Sequence, residues 1–378
     1  MKKVLAWVLC LMLTLGMVSV ASAEFAPVNK DDLKVGFVFI GDVSDKGYTY
    51  AHYQGLLDMQ QNLGLSDDQI LIKTNVSEDS ACETALRELV EAGCQIIFGN
   101  SYGYMNYMAE LADEYPEVIF SHCSGYMSND TNFNNYFGAI YQARYLAGIA
   151  AGLKTQTNKI GFVAAMQTPE VIGGIDAFAL GVQSVNPDAV VYVKYTNSWY
   201  DATLERQTAD ALLDLGCDVI GQHCDTANPQ IAAQERGVWG CGYNADMTVD
   251  APKAHLTAPV WHWGAVYTKE VQEVLDGTWK PEKIFLTMAD GLVDLSPLSE
   301  NCAEGTAEAI EAARAKIVSG EFDVFEGPLY DNQGNQILDE NSCFVSDIAN
   351  TSAISMTVDV PFISAVIRTR IGSDGMTT

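Results

Sequence analysis

The strongest constraint on this chain is that it repeats itself. Lys34-Val35-Gly36-Phe37-Val38 is answered by Lys159-Ile160-Gly161-Phe162-Val163, and each apolar run ends in a loop that opens a helical pattern. A second short run follows in both halves, Ile70-Leu71-Ile72-Lys73 and Val190-Val191-Tyr192-Val193, and both lead to an asparagine, Asn75 and Asn197. LRELVEAGCQIIFGN is then matched by TADALLDLGCDVIGQ, a helix with a Gly-Cys stop and a further strand. Residues 118–120 and 238–240 close the two series. Glycine just past a helix and an apolar run beyond it suit a helix-to-strand turn. Strands alternating with helices predict βαβ units and parallel sheets covered on both faces. One large sheet would not explain a series that restarts, so the expectation is two α/β lobes.

The ends and the bulk composition narrow the setting. Met1-Lys2-Lys3, an apolar stretch over 4–20 and Ala21-Ser22-Ala23 have the three parts of a secretory signal peptide, residues 1–23, with cleavage before Glu24. Cys10 lies inside the apolar stretch after Leu9, which argues against lipidation. The expected product is a soluble periplasmic or extracellular chain of about 355 residues, enough for two domains. Removing Lys2 and Lys3 from the 21 basic side chains leaves 19 against 49 acidic ones, a net charge near −30. Such a field repels nucleic acid and anionic lipid, so neither is expected as a partner. Five histidines without a metal-ligand spacing predict no metal site, and no cofactor motif is present. Eight cysteines follow the leader, an even count that permits disulfides without fixing their connectivity.

Parallel α/β sheets bind ligands beyond the carboxyl ends of their strands. The loops there are polar and aromatic: 41–48, 100–104 and 121–126 in the first half, and 166–170, 196–201, 222–225, 242–246 and 259–264 in the second. Four of them carry a resemblance. Asp45-Lys46-Gly47-Tyr48-Thr49, Ser101-Tyr102-Gly103-Tyr104, Trp199-Tyr200-Asp201 and Gly242-Tyr243-Asn244-Ala245-Asp246 resemble, in order and spacing, motifs of the basic membrane protein family, the purine-nucleoside-receptor-like substrate-binding proteins. The resemblance runs from about residue 33 to about residue 335. It implies a type I periplasmic-binding-protein fold, two Rossmann-like lobes with a hinge and a ligand cleft between them, working with the membrane permease of an ABC importer. It also implies that Tyr48 and Trp199, one from each lobe, sandwich a purine ring.

Aromatic stacking on a base is worth about 1–3 kcal/mol, and a ring on each lobe rewards closure. The departures from the family pattern point to a free base. The first acid of the Gly-x-Asp-x-Asp loop is Asn244 here, a lysine position holds Trp261, and the loop after the fourth strand reads His122-Cys123-Ser124. Acid and lysine suit ribose hydroxyls. An amide such as Asn244 or Asn100 both donates and accepts, matching the ring-nitrogen and amino edge of adenine. The expected ligand is therefore an adenine-like purine base, with a purine nucleoside and then a sugar as alternatives.

The candidate ligand-binding residues are Tyr48, Asn100, Ser101, Tyr102, Tyr126, Trp199, Asp201, Asp225, Asn244, Asp246, Trp261 and Trp263. Several have ordinary structural readings. Trp261 and Trp263 alternate on a strand-like run and face either cleft or hinge core. Asp225, Asn244 and Asp246 lie at strand ends, where a polar side chain also caps the next helix. Catalytic residues are not expected. His223, Cys224 and Asp225 are neighbours on a strand and point to alternate faces, and no GxSxG elbow is present. A secreted hydrolase acting on nucleosides or glycosides is the alternative of another class. The lobes are predicted as 30–150 with 258–285, and 155–257 with 286–338, in a monomer. An atypical tail covers 339–378.

Overall fold

The computed structural model describes residues 25–331 and 335–339. The expected signal peptide and the tail beyond residue 339 lie outside the described residues.

The first half runs β1 (Val35–Phe39), α1 (Tyr48–Leu63), β2 (Ile70–Lys73), α2 (Ser80–Glu91), β3 (Ile96–Asn100), α3 (Met105–Glu114), β4 (Ile119–Cys123) and β5 (Phe133–Gly138). After the helix α4 (Ile140–Lys154) the pattern restarts with β6 (Lys159–Ala164), α5 (Pro169–Val185), β7 (Val190–Tyr195), α6 (Ala202–Asp214), β8 (Val219–His223), α7 (Asn228–Glu235) and β9 (Trp239–Gly240). The chain then adds β10 (Pro259–Trp261), α8 (Gly264–Asp276), β11 (Ile284–Leu286), β12 (Val293–Leu295), α9 (Thr306–Ser319), β13 (Leu329–Tyr330) and β14 (Gln336–Leu338).

Two parallel sheets result, ordered β11-β5-β4-β3-β1-β2 and β7-β6-β8-β9. Within each half the order is second strand, first, third, fourth. The sequence echo is thus an echo of topology. It extends to the backbone: Asn75 and Asn197 both have φ 55°, while Gly93 and Gly216 have φ 86° and 87°. Those two glycines follow α2 and α6, where a left-handed residue lets the next amide reach back. Cys94 N donates to Leu89 O, and Cys217 N to Leu212 O. This is the type I periplasmic-binding-protein fold: two α/β lobes, each a parallel sheet covered on both faces. Accordingly β1, β3, β4 and β8 are buried at every position.

Late elements return to the first sheet. β11 pairs with β5, and α8 packs on α1 so closely that a Cβ on Gly55 would lie 2.6 Å from the Trp263 Cβ. β10 and β12 form an antiparallel pair, and Ile310 and Ile317 of α9 join the cluster that holds Tyr141 and Tyr145 of α4. α4 itself meets α5 backbone to backbone. A Cβ on Gly148 would lie 2.1 Å from the Phe178 carbonyl oxygen, and one on Gly181 would lie 2.0 Å from that of Tyr145. The seven described cysteines are free thiols, with no disulfide among them. No helix among the described residues is long and apolar enough to cross a membrane.

Candidate ligand-binding cleft

The carboxyl ends of the two sheets meet at a cleft of about 420 Å³, counting its open mouth. Its lining comes from loops after β1, β3 and β4 on one side, with Ile40, Tyr48, Ser101, Tyr102 and Ser124. The loops after β6, β7, β8 and β9 supply Glu170, Trp199, His223, Asp225 and Tyr243. A shallower extension adds Tyr126 and Gly125.

Tyr48 is held by the start of α1. The Asp45 carboxylate accepts from the amides of Gly47 (2.8 Å), Thr49 (3.0 Å) and Tyr50 (2.9 Å), satisfying donors that a helix start leaves open. The Tyr48 ring meets His52 edge-on, and its hydroxyl donates to Cys123 Sγ at 3.3 Å. Gly47 brings this turn against the other lobe. A Cβ there would lie 1.9 Å from the Asp225 carbonyl oxygen, so only glycine allows the approach seen.

Trp199 sits on a loop rather than an element. Thr196 Oγ1 donates to Ser198 O at 2.8 Å, and Asp201 Oδ1 caps α6 by accepting from Thr203 N and Leu204 N. Buried Glu205 joins this loop to the next, accepting from Asp201 N at 3.2 Å and from Thr226 Oγ1 at 2.5 Å. Beneath this wall, Arg144 of α4 lies 3.7 Å over the Tyr243 ring and donates to Gln222 O. Its Nε and Nη2 make no hydrogen bond among the described residues. Burial, reinforced by Arg144, holds the His223 imidazole well below its ordinary range and hence neutral. Burial likewise pushes the Asp225 carboxyl well up, with Asp45 and Glu205 adding to the shift, although Asn244 Nδ2 donates to Asp225 Oδ1 at 3.1 Å.

Residues 32–326 match the family described as Bmp, ABC transporter substrate-binding protein PnrA-like. The chain belongs to the Bmp family. Bmp proteins are extracytoplasmic substrate-binding components of ABC transporters, not enzymes; they take small-molecule ligands and work with ABC permeases. This Bmp protein is 37% identical over 309 residues to a purine-binding protein of Brucella abortus, covering 82% of this chain and 87% of that one. It is 32% identical over 323 residues to a putative ABC transporter glucose-binding protein of Haloferax volcanii, covering 85% and 82%. A solute-binding protein of an ABC transporter system from Aeropyrum pernix shares its fold, with a TM-score of 0.68 at 20% identity over 78% and 94% of the two chains.

Of the residues singled out from the sequence, this Bmp protein brings Tyr48, Ser101, Tyr102, Trp199 and Asp225 into one cleft, with Tyr126 at its mouth. The others stand elsewhere. Asn244 is one layer back, bonded to Asp225. Asn100 is spent in a buried network, donating to Tyr267 Oη at 2.9 Å and accepting from Tyr136 Oη at 3.2 Å. Asp201 caps α6, and Asp246 accepts from Thr248 on an exposed turn. Trp261 and Trp263 stack on each other at 4.3 Å inside the core. Trp261 still touches the site from beneath, donating from Nε1 to Tyr243 Oη at 3.4 Å.

Sequence reasoning passed over Glu170, His223, Tyr243, Ile40 and Ser124, which line the cleft, and Arg144, which stacks on Tyr243. The strand-end loops held four of these positions, Ser124, Glu170, His223 and Tyr243, but nothing in the residue types selected them, and Ile40 falls just before the first loop. Arg144 lies mid-helix, where no loop rule points.

Proposed function

We propose that this Bmp protein, exported and monomeric, captures an adenine-like purine base between its lobes and delivers it to the membrane permease of an ABC importer. The observation that carries the reading is that Tyr48 from one half and Trp199 from the other line the same cleft. Tyr102 and Tyr243 add aromatic surface, and among the described residues no lysine or arginine lines it. A flat, neutral heterocycle suits such walls, because each face finds a ring and its polar edge meets the side chains between them. The Brucella relative, named as purine-binding, supports the same reading.

A sugar is the second reading. The Haloferax relative is named as a putative glucose-binding protein, and Glu170 and Asp225 are acids that could grip hydroxyls. Calorimetric titration with adenine, adenosine, guanosine, glucose and ribose separates the two. Saturable adenine binding without a glucose or ribose response is the expected result. Tight glucose binding without an adenine response would overturn the purine reading, and adenosine binding ahead of adenine would move it to nucleosides.

A further inference from the structure

Most polar groups facing the cleft are already committed. Tyr48 Oη donates to Cys123, Ser101 Oγ donates to Glu78 Oε1 at 2.6 Å, and Asp225 Oδ1 accepts from Asn244. The Glu170 carboxyl is not committed, and neither is Nδ1 of His223 beside it. Glu170 sits in the first turn of α5, after the Thr168 cap and Pro169, and lines both the cleft and its mouth. Its side chain keeps 26% of its surface exposed, with Oε1 3.5 Å from His223 Nε2. Its carboxyl makes no hydrogen bond to another described residue. A carboxyl without a hydrogen bond, its Oε1 facing only the His223 ring, thus shares a cleft with the Tyr48 and Trp199 rings.

We propose that Glu170 reads the ligand edge as a protonated carboxyl, its hydroxyl donating to a ring nitrogen and its carbonyl accepting from the amino group of a 6-aminopurine. The inference rests on the purine reading. A neutral carboxyl offers one donor beside one acceptor, which complements an acceptor beside a donor. An ionised carboxylate offers acceptors alone and would face the ring nitrogen with like polarity. The proton comes from solvent and stays on Glu170 while the ligand is bound.

The surroundings favour that state. The start of α5 favours a negative charge, but burial opposes it more strongly and pushes the Glu170 carboxyl up to about 7, with Arg144 pulling it back. The titratable groups that face it come from every neighbouring element: Tyr48 of α1, Cys123 of β4, Arg144 of α4 and Tyr243 beyond β9. His223 and Asp225 at the end of β8 complete the set, with Tyr102 across the cleft. His223 stays neutral, so it supplies no cation to hold the carboxylate.

The sign follows directly. Adenine binding should be strongest below pH 7 and decline as Glu170 ionises, by about 30-fold between pH 6 and pH 8.5 if only the neutral form binds. The test is calorimetric titration of the full mature chain with adenine at both pH values, in buffers of different ionisation heat so that proton uptake is counted. The wild type should take up close to one proton at pH 8.5. Glu170→Gln, an amide with a fixed donor and acceptor, should bind adenine with less than about threefold change across the range. Glu170→Leu should lose adenine at both pH values while keeping its circular dichroism. Asp225→Asn should keep the wild-type slope, whatever its absolute affinity. A pH-independent wild type, a slope that survives in Glu170→Gln or one that disappears in Asp225→Asn would overturn the assignment while leaving the purine reading standing. Absence of adenine binding at both pH values would remove both.

Discussion

The two halves share a strand order but deliver their rings differently. Tyr48 is the first residue of a regular helix, gripped through Asp45 and bonded through its hydroxyl to Cys123. Trp199 rides on a loop fastened by Thr196, Asp201 and the buried Glu205. The first ring belongs to the scaffold, so its position is set by folding. The second depends on a few side-chain bonds, and its position is set by the integrity of that small network.

The sharpest challenge to this contrast is Trp199→Ala against Tyr48→Ala. Loss of the indole should weaken adenine binding on the order of 100-fold, with little change in the thermal midpoint. Loss of the tyrosine should cost roughly 30-fold and also lower the midpoint, because its contacts with His52 and Cys123 are structural. Equal stability losses in the two variants would erase the distinction; calorimetry and thermal unfolding read both.

Next in size is Gly47→Ala. The added methyl must displace the Asp225 carbonyl or hold the lobes apart, so affinity should fall about 10-fold while the unliganded protein unfolds as before. Small-angle scattering with saturating ligand should show a less compact particle than the wild type. Unchanged affinity would mean that this approach is not part of closure.

Glu205→Gln tests the adjustable side more gently. The amide nitrogen would meet the Thr226 or Asp201 amide, donor against donor, loosening the Trp199 loop. Affinity should fall roughly fivefold with a stability loss of about 1–3 kcal/mol, read by titration and denaturant unfolding. The corresponding contacts of Tyr48 should be untouched.

The fold was legible because duplication leaves a signal that survives divergence. Each half has its own apolar strands, its asparagine after the second strand and its Gly-Cys stop, and the backbone uses all of them alike at Asn75 and Asn197 and at Gly93 and Gly216. The cleft was legible where position alone decided. Tyr48, Tyr102 and Trp199 are aromatic, lie after strands and line it. What stayed hidden was direction. Asn100 and Tyr102 are two residues apart, yet one enters a buried tyrosine network and the other lines the cleft. Trp261 and Trp263 alternate as strand residues do, but the strand ends at Trp261 and Trp263 stands at the N-cap position of α8, with both rings in the core. Glu170 was masked by its own setting, since Thr-Pro-Glu is what an ordinary helix start looks like.

The seam at Gly148 and Gly181 fixes how α4 sits on α5. Where Gly148 and Gly181 meet, no side chain separates α4 from α5, so at that point there is nothing to re-rotamerise and no cushion to shear. Arg144 on α4 and Glu170 at the start of α5 are therefore held at a set spacing by that seam, the cation kept near the carboxyl whose charge it favours.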